Sequence, residues 1–288
     1  MDDGAIIQVR RYGNVAGPRL LISHGNGFAV DAYYPFWTLF LDRYDVVLFD
    51  LRNHGQNPLH ELACHDLPQF VSDLECLWQG IEAKLGGKPT AGIFHSISAI
   101  TSIRHAVEVG WRWDALIAVD PPLVPSPGHA LHDLAHGFEL SLSDWARRRP
   151  QRFREPAELA QILARAGSCR RWLPGTRELM ARSILREDSA QDDWALACPG
   201  EYESQIYAAN AALDLCPRLA ELAGPIKFIG ADPQAEDAWS PAIVNRALHE
   251  EIGHPYTYIA ETSHMIHLEK PVELAREVAS FLGECGIG

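Results

Sequence analysis

The sequence predicts an α/β protein with a mostly parallel sheet flanked by helices and with an inserted helical cap. Three observations support this fold class. Apolar, β-forming runs alternate with helix-forming segments over the first 120 residues. A proline-rich stretch from Asp120 to Pro127 then ends the alternation, and strand and helix signals return at about residue 225. This rhythm predicts a mostly parallel sheet.

The strands are expected where apolar residues run together between turn signals. Before the cap they are residues 6–11, Arg19–Ser23, Asp45–Phe49, 90–94 and Ala115–Val119. A long helix is expected at Leu67–Leu85, between the third and fourth of these strands. After the cap, strands at 225–229 and 256–259 are each followed by a helix, the last of them at 271–282.

The middle of the chain is helical in composition from about residue 129 to residue 215. Amphipathic pieces are separated there by helix-breaking residues, namely Pro150, Gly167, Pro174, Gly175, Pro199 and Gly200. We therefore expect a helical cap at residues 121–216, inserted into a core built from residues 1–120 and 217–288.

Composition restricts the compartment and the partners. With 47% hydrophobic residues among 288, the chain can bury a large core, and its formal net charge of −13 opposes binding to nucleic acid or to an anionic membrane. No secretory signal opens the sequence, and no apolar run approaches the roughly 20 residues of a membrane-spanning helix. The six cysteines form no CxxC pair. A cytoplasmic protein with reduced thiols is expected, with no nucleic-acid or membrane partner.

Ser96 is the strongest candidate for chemistry. It follows His95 where the apolar run 90–94 gives way to a helix-forming segment, which is the context of a nucleophile elbow. A serine hydroxyl attacks a substrate only when a base takes its proton. His264 is the candidate base, because it falls in the loop between the strand at 256–259 and the last helix.

Four segments resemble the α/β-hydrolase superfamily, and the resemblance covers nearly the whole chain except the cap. They are the strand and loop at 20–28, the Asp-x-Arg-x-x-Gly turn at 50–55, the elbow around Ser96 and the loop around His264. The resemblance is to the serine-nucleophile, capped, esterase-like branch. It implies that Ser96 is the nucleophile and His264 the base, and that the turn at 50–55 is structural.

The resemblance also implies an oxyanion hole made by the main-chain N–H groups of Asn26 and Ile97. The elbow departs from the family at one position, because the small residue expected two places before the serine is Phe94. Ser98 is the alternative nucleophile, but this choice leaves a bulky residue after it and loses the His-Ser resemblance. Ser96 is therefore preferred.

A third residue is needed to orient His264. Asp232 follows the strand at 225–229, which resembles the family's strand, short loop and acid, and it satisfies the chain order of serine, acid, histidine. Asp237 in the same loop and Asp120 after the preceding strand are rivals. We predict Asp232, whose carboxylate would fix the tautomer of the imidazole and stabilise the imidazolium.

Candidates to line a substrate pocket lie near the elbow and in the cap. We predict Phe28, His95, Trp145 and Arg148 for this role. The arginine-rich run at 147–154 offers a site for a substrate carboxylate or phosphate.

Three cap histidines have the spacing of residues on one helix face, namely His129, His132 and His136. No nearby cysteine or paired carboxylate completes a metal site there. Neither a metal nor a cofactor is predicted.

These residues and the resemblance imply a serine hydrolase that cleaves an ester, thioester or lactone of a small molecule through an acyl-enzyme. Two alternatives stay open: a C–C bond hydrolase, lyase or acyl-transfer enzyme on the same fold, and a non-catalytic small-molecule binding protein. The substrate is expected to be a small molecule. Whether it is anionic or carrier-bound, and whether the protein is a homodimer, is left open.

Overall fold

The computed structural model describes residues 1–288, which form two sheets and their flanking helices. The strands, in chain order, are β1 (Val9–Gly13), β2 (Arg19–Ser23), β3 (Asp45–Phe49), β4 (Thr90–His95), β5 (Ala115–Val119), β6 (Arg152–Phe153), β7 (Leu185–Asp188), β8 (Asp193–Leu196), β9 (Ile226–Gly230) and β10 (Tyr256–Tyr258). Seven of them form the central sheet, in the order β1-β3-β2-β4-β5-β9-β10. Only β1 is antiparallel to its neighbour. The predicted fold class is confirmed.

The helices lie between the strands and on both faces of the sheet. In chain order they are α1 (Tyr34–Trp37), α2 (Leu67–Leu85), α3 (Ile97–Glu108), α4 (His132–Arg148), α5 (Pro156–Arg165), α6 (Thr176–Ser183), α7 (Gly200–Ala211), α8 (Ser240–Ile252), α9 (Ile266–Glu269) and α10 (Pro271–Glu284). None of these helices is both long enough and apolar enough to cross a lipid bilayer.

Burial of the central strands follows from helices covering both faces of the sheet. Every residue of β2, β3, β4 and β5 is buried, as expected for strands of a covered parallel sheet. Because successive side chains of a strand point to opposite faces, the neighbours Leu20 and Leu21 of β2 belong to two different core clusters. One cluster contains α10, and the other contains α2 and α3.

Helix α2 shows how local sequence sets an element's ends. The side chain of Asp66 accepts a hydrogen bond from the main-chain N–H of Gln69 at 2.8 Å, and Pro68 occupies the first turn. Both features satisfy or remove N–H groups that a helix start leaves without partners. The helix ends at Gly86, whose φ of 80° is a conformation that favours glycine.

The segment between β5 and β9 is inserted after the fifth strand and is not purely helical. It contains α4 to α7, but β6, β8 and β7 also form a separate three-stranded antiparallel sheet. The inserted segment thus contains, besides the expected helices, a small sheet that the sequence did not predict. The cap boundaries at residues 121–216 stay a prediction.

The unusual Phe94 is accommodated by a glycine two residues earlier in β4. Its ring is buried and packs edge-on against Phe49 and Trp113, with ring centroids 6.2 and 5.2 Å apart. A Cβ at Gly92 would lie 2.5 Å from Cε2 of Phe94. The missing side chain of Gly92 therefore provides the space that the phenyl ring fills.

Gly92→Ala is expected to lower the free energy of unfolding by about 1–3 kcal/mol, because the new methyl group must displace the Phe94 ring in a packed core. Gly80→Ala is the matched control, since nothing lies within 4 Å of a Cβ there. In the middle of α2 it is expected to stabilise by roughly 0.5–1 kcal/mol. Urea unfolding of the three proteins measures both values, and equal stabilities of the two variants would contradict this packing argument.

Candidate active site

Ser96 stands at a sharp turn between β4 and α3. Its backbone has φ 55° and ψ −121°, which is a sparsely populated conformation for a residue with a side chain. The N–H of Ser96 donates to the carbonyl oxygen of Val119 on the neighbouring strand at 2.9 Å, which helps to hold the turn. A strained strand-to-helix turn of this kind places the serine hydroxyl at the carboxyl edge of the sheet.

His264 lies against Ser96 in a loop between β10 and α9. The Ser96 hydroxyl is 3.0 Å from Nε2 of His264, and Nδ1 of the same ring is 2.7 Å from Oδ2 of Asp120. The loop is held by Ser263, whose N–H and hydroxyl both donate to the buried carboxylate of Glu269. The structure thus brings three side chains into one line, in the order serine, histidine, aspartate.

Asp120 is fixed by several contacts directly after β5. Its other carboxylate oxygen, Oδ1, accepts hydrogen bonds from the N–H of Ala231 at 3.1 Å and from the side chain of Asn245 at 3.3 Å. Its backbone φ is 42°, and the residue is completely buried. This arrangement leaves Oδ2 to accept from His264 and fixes the orientation of the imidazole.

The prediction that Asp232 orients His264 is corrected by these contacts. Asp232 accepts from the main-chain N–H groups of Gln234 and Glu261, at 2.9 and 2.8 Å, and so braces the turn after β9 against the loop that carries His264. Asp237, the other candidate in that loop, forms ion pairs with two arginines of the inserted segment. Of the three carboxylates considered from sequence, only Asp120 contacts the ring of His264.

The predicted oxyanion donors flank Ser96. The loop after β2 passes so close to the elbow that a Cβ at Gly25 would lie 3.0 Å from Cβ of Ser96. The N–H groups of Asn26, in that loop, and of Ile97, at the start of α3, make no hydrogen bond within the protein. Two free amides beside a serine hydroxyl are suited to receive a developing negative charge.

The loop that carries Asn26 is anchored from both sides. The N–H of Gly27 donates to Nε2 of His54 at 3.0 Å. His54 belongs to the turn at residues 50–55, for which the sequence suggested a structural role. From the other side, the Asn26 side chain donates to the carbonyl oxygen of Glu203 on α7 at 2.8 Å. The inserted segment therefore contributes directly to the position of this loop.

Ser98, the alternative nucleophile, is engaged with the backbone. Its hydroxyl donates to the carbonyl oxygen of His95 at 2.9 Å and accepts from the N–H of the same residue at 3.0 Å. Both of these bonds lie within the elbow itself. Ser98 thus stabilises the turn, while the hydroxyl of Ser96 is the one that meets an imidazole.

His95 lies behind the site and not in the substrate pocket, which corrects its predicted role. Nε2–H of His95 donates to the carbonyl oxygen of His264 at 2.9 Å, and Nδ1 accepts from the hydroxyl of Tyr33 at 2.6 Å. Complete burial lowers the pKa of His95 well below its usual value, so the ring is neutral. It links the elbow to the histidine loop.

A cavity of about 370 Å³ opens above Ser96 and His264. Most of its lining is apolar and comes from the inserted segment, including Trp145, Phe153, Leu163, Trp172, Met180 and Ile184. Phe28 and Trp145 line it, as the sequence suggested. Arg148 does not, because it is exposed and donates to the carbonyl oxygen of Asp144 at 3.0 Å. Its neighbour Arg149 lines the cavity instead.

Several residues of the site were not anticipated from sequence. Trp239 stacks on the ring of His264, with the centroids 5.7 Å apart and the planes at 19°. Glu139 and Glu203, acidic residues of α4 and α7, are buried and line the cavity. Their sequence context resembles that of ordinary exposed helix charges, so only the packing of α4 on α7 shows their position.

The three cap histidines do not share one helix face. His129 precedes the first residue of α4, and its Nε2 lies 3.1 Å from a carboxylate oxygen of Glu251. His132 and His136 stack on each other, with ring centroids 5.4 Å apart. The expectation that all three lie on one face of a helix is therefore wrong for His129.

A second group with metal-binding side chains is His54, His65 and Cys198, all of them buried. The lone pair on Nε2 of His54 is taken by the N–H of Gly27. The side chain of Asn53 donates to Nδ1 of His65, which leaves the other nitrogen of that ring protonated. In this hydrogen-bonding pattern neither imidazole offers a free lone pair to a cation.

The chain belongs to the α/β hydrolase family, whose model matches residues 20–277. A comparison with curated protein sequences finds no match. The architecture and the line of Ser96, His264 and Asp120 agree with this family assignment.

Solved structures of similar fold include several hydrolases. The structure of E-2-(acetamidomethylene)succinate hydrolase is 16% identical, with a TM-score of 0.79 over 97% of this chain and 96% of that one. A thermophilic esterase from Thermogutta terrifontis is 18% identical, with a TM-score of 0.70 over 98% and 94%. A thioesterase domain from the curacin biosynthetic pathway is 16% identical, with a TM-score of 0.72 over 96% of each chain. At these identities the likeness establishes the fold.

Proposed function

We propose that this protein is a serine hydrolase that cleaves an ester, thioester or lactone of a small molecule through an acyl-enzyme. One observation carries the proposal: the Ser96 hydroxyl, the His264 imidazole and the Asp120 carboxylate stand in line at 3.0 and 2.7 Å beneath an apolar cavity. A buried hydroxyl with a base on one side and free amides on the other has what acyl transfer needs.

In the first half-reaction Oγ of Ser96 bonds to the substrate carbonyl carbon, and its proton passes to Nε2 of His264. Asp120 accepts a hydrogen bond from Nδ1–H of His264 and stabilises the imidazolium that forms. The carbonyl oxygen becomes negative and receives hydrogen bonds from the N–H groups of Asn26 and Ile97. Collapse of this intermediate breaks the bond to the leaving oxygen or sulfur, which takes the proton from His264.

The second half-reaction uses the same groups in reverse. A water molecule gives its proton to Nε2 of His264 as its oxygen bonds to the acyl carbon. The same amides hold the second oxyanion, and Ser96 regains its proton when the carboxylic acid leaves. The buried imidazole is thus a base twice and an acid twice in one turnover.

The cavity favours a substrate of modest size with a large apolar part. Its volume of about 370 Å³ lies at the lower end of the range usual for small-molecule sites. Seventeen of its 27 lining residues are hydrophobic. Thioesters and lactones place a carbonyl carbon in the same position as esters do, so the substrate class includes all three. The cytoplasmic location remains part of this proposal.

Hydrolysis of p-nitrophenyl esters of increasing chain length tests the proposal. We expect kcat/KM to rise roughly two- to fourfold per methylene from acetate until the cavity is filled, because each buried methylene contributes about 0.8 kcal/mol, and then to fall. The release of p-nitrophenolate measures it. No hydrolysis above the spontaneous rate for any chain length would favour a non-catalytic binding protein on this fold.

A further inference from the structure

Four polar side chains line the cavity on the side formed by α4, the residue that follows it, and α7. We call this group the polar wall; it consists of Glu139, Arg149, Glu203 and Tyr207. Nη2 of Arg149 lies 2.5 Å from Oε2 of Glu203, and the Tyr207 hydroxyl donates to Oε1 of Glu203 at 3.4 Å. Polar groups withdrawn from water in this way are costly unless they find partners.

Several atoms of the polar wall have no protein partner. The side chain of Asn210 donates to Oε2 of Glu139 at 2.8 Å, and no group of the protein bonds to the other oxygen of that carboxyl. Nε of Arg149 is buried and makes no hydrogen bond, and neither does Oε2 of Glu203 beyond its ion pair. All four residues line the cavity. Nε of Arg149 and Oε2 of Glu203 are themselves buried within the wall, whereas the oxygen of Glu139 that has no protein partner is accessible to a molecule in the cavity.

The polar wall carries no net charge at neutral pH. Arg149 is balanced by Glu203. Burial raises the pKa of Glu139 to about 8, so this carboxyl is mainly protonated and can donate a hydrogen bond. A substrate carboxylate would add an unbalanced negative charge next to two acids, and a cation would lie next to Arg149. An uncharged group that both accepts and donates hydrogen bonds suits these atoms best.

The polar wall adjoins the reacting centre. The carboxylate of Glu203 fills the space where a side chain on Gly27 would lie. Gly27 is two residues from Gly25, which touches Ser96, and two residues span at most roughly 7 Å. A group held by the polar wall is therefore only a few bonds from the carbonyl that Ser96 attacks.

We propose that the polar wall is a subsite for an uncharged amide-type group of the substrate, a few bonds from the carbonyl that is cleaved. This inference rests on the proposed function and adds the substrate class to it. Glu139 is then the specificity-determining residue, because its carboxyl donates to the amide oxygen. The ion pair of Arg149 and Glu203 lines the subsite beside it and keeps this part of the wall neutral.

Matched esters test the subsite. One series consists of p-nitrophenyl esters of 4-carbamoylbutanoic, 5-methylhexanoic, glutaric and 4-(trimethylammonio)butanoic acids, which end in an amide, an isopropyl group of similar shape, a carboxylate and a cation. A second series carries the same four end groups on the alcohol of a hexanoate ester. After correction for spontaneous hydrolysis, we expect kcat/KM for the amide to exceed that for the isopropyl ester by roughly ten- to hundredfold in one series.

Four variants distinguish loss of the subsite from a general loss of structure. Glu139→Leu should abolish the preference for the amide, and Glu139→Gln should keep it, because a carboxamide can still donate. Arg148→Met is the matched control for Arg149→Met, since Arg148 is exposed and outside the cavity. Of these two methionine variants, only Arg149→Met is expected to lose the preference, because it leaves the carboxylate of Glu203 without its partner in the polar wall. Thermal unfolding of each variant verifies that it is folded.

A binding measurement distinguishes failure of the subsite from failure of the proposed chemistry. Ser96→Ala protein, titrated with the esters of both series, reports binding through the fluorescence of Trp145, Trp172 and Trp239, which line the cavity. Tighter binding of the amide supports the subsite even if no ester is hydrolysed by the wild type. Equal or weaker binding of the amide in both series, a preference for the carboxylate or the cation, or a preference that survives Glu139→Leu would overturn it.

Discussion

Ser96→Ala is expected to reduce kcat for ester hydrolysis by roughly 10⁵–10⁶-fold, because it removes the atom that forms the acyl-enzyme. The residual rate would come from the amides of Asn26 and Ile97 and from binding in the cavity. The fold should survive, since the hydroxyl of Ser96 bonds only to His264. Initial rates with the preferred p-nitrophenyl ester, at equal protein concentrations, measure the effect.

Ser98→Ala is the matched control for this variant. The hydroxyl of Ser98 bonds to the backbone of His95, so its removal should lower the free energy of unfolding by about 1–3 kcal/mol. We expect the folded protein to retain turnover within about tenfold of wild type. If Ser98→Ala were folded but inactive while Ser96→Ala remained active, the nucleophile would have been misassigned.

Asp120→Asn is expected to reduce kcat by about 10³–10⁴-fold. An amide at this position no longer stabilises the imidazolium, and its NH2 group can force the imidazole of His264 into the wrong tautomer. The hydrogen bonds to Ala231 and Asn245 also change, so circular dichroism and thermal unfolding must accompany the rates. The rate at saturating substrate is the quantity to compare.

Asp232→Asn is the corresponding control, because it removes a carboxylate from the same edge of the sheet. Asp232 bonds to the N–H groups of Gln234 and Glu261 and is not in contact with the imidazole of His264. Asparagine retains one acceptor there, and we expect kcat to stay within about tenfold of wild type. If Asp232→Asn lost as much activity as Asp120→Asn, the assignment of the acid would have to be revised.

The elements of the central sheet were predictable because their signals are local. The strands Arg19–Ser23, Asp45–Phe49 and Ala115–Val119 and the helix Leu67–Leu85 coincide with the runs expected from sequence. Full burial on both faces makes such strands continuous apolar runs. The three short strands of the inserted segment gave no such signal, because they are two to four residues long and partly exposed.

The acid could not be chosen from sequence because the decision depends on side-chain direction. Asp120 and Asp232 both follow strands that end at the same edge of the sheet. The structure separates them by backbone geometry: Asp120, with φ 42°, turns its carboxylate toward His264, whereas Asp232 closes its own turn. The proline pair after Asp120 marked a turn there, but no local pattern revealed which carboxylate meets the ring.

The residues that line the cavity could be predicted only in part, because here too the direction of each side chain decides. Phe28 lies next to the glycine-rich loop, so its position followed from the motif. Arg148 and Arg149 differ by one residue at the end of α4, where the backbone of Arg149 leaves the helix with ψ 153°. That change sends only the second arginine into the cavity, and its carboxylate partner Glu203 comes from a helix 54 positions later in the chain.

Labelling with a fluorophosphonate probe, followed by peptide mass spectrometry, tests the central claim most directly. The account predicts one stoichiometric adduct on the hydroxyl of Ser96, a rate of labelling that falls sharply in His264→Ala, and no adduct on Ser98. Absence of labelling in the folded protein, or an adduct at another serine with Ser96 unmodified, would contradict it.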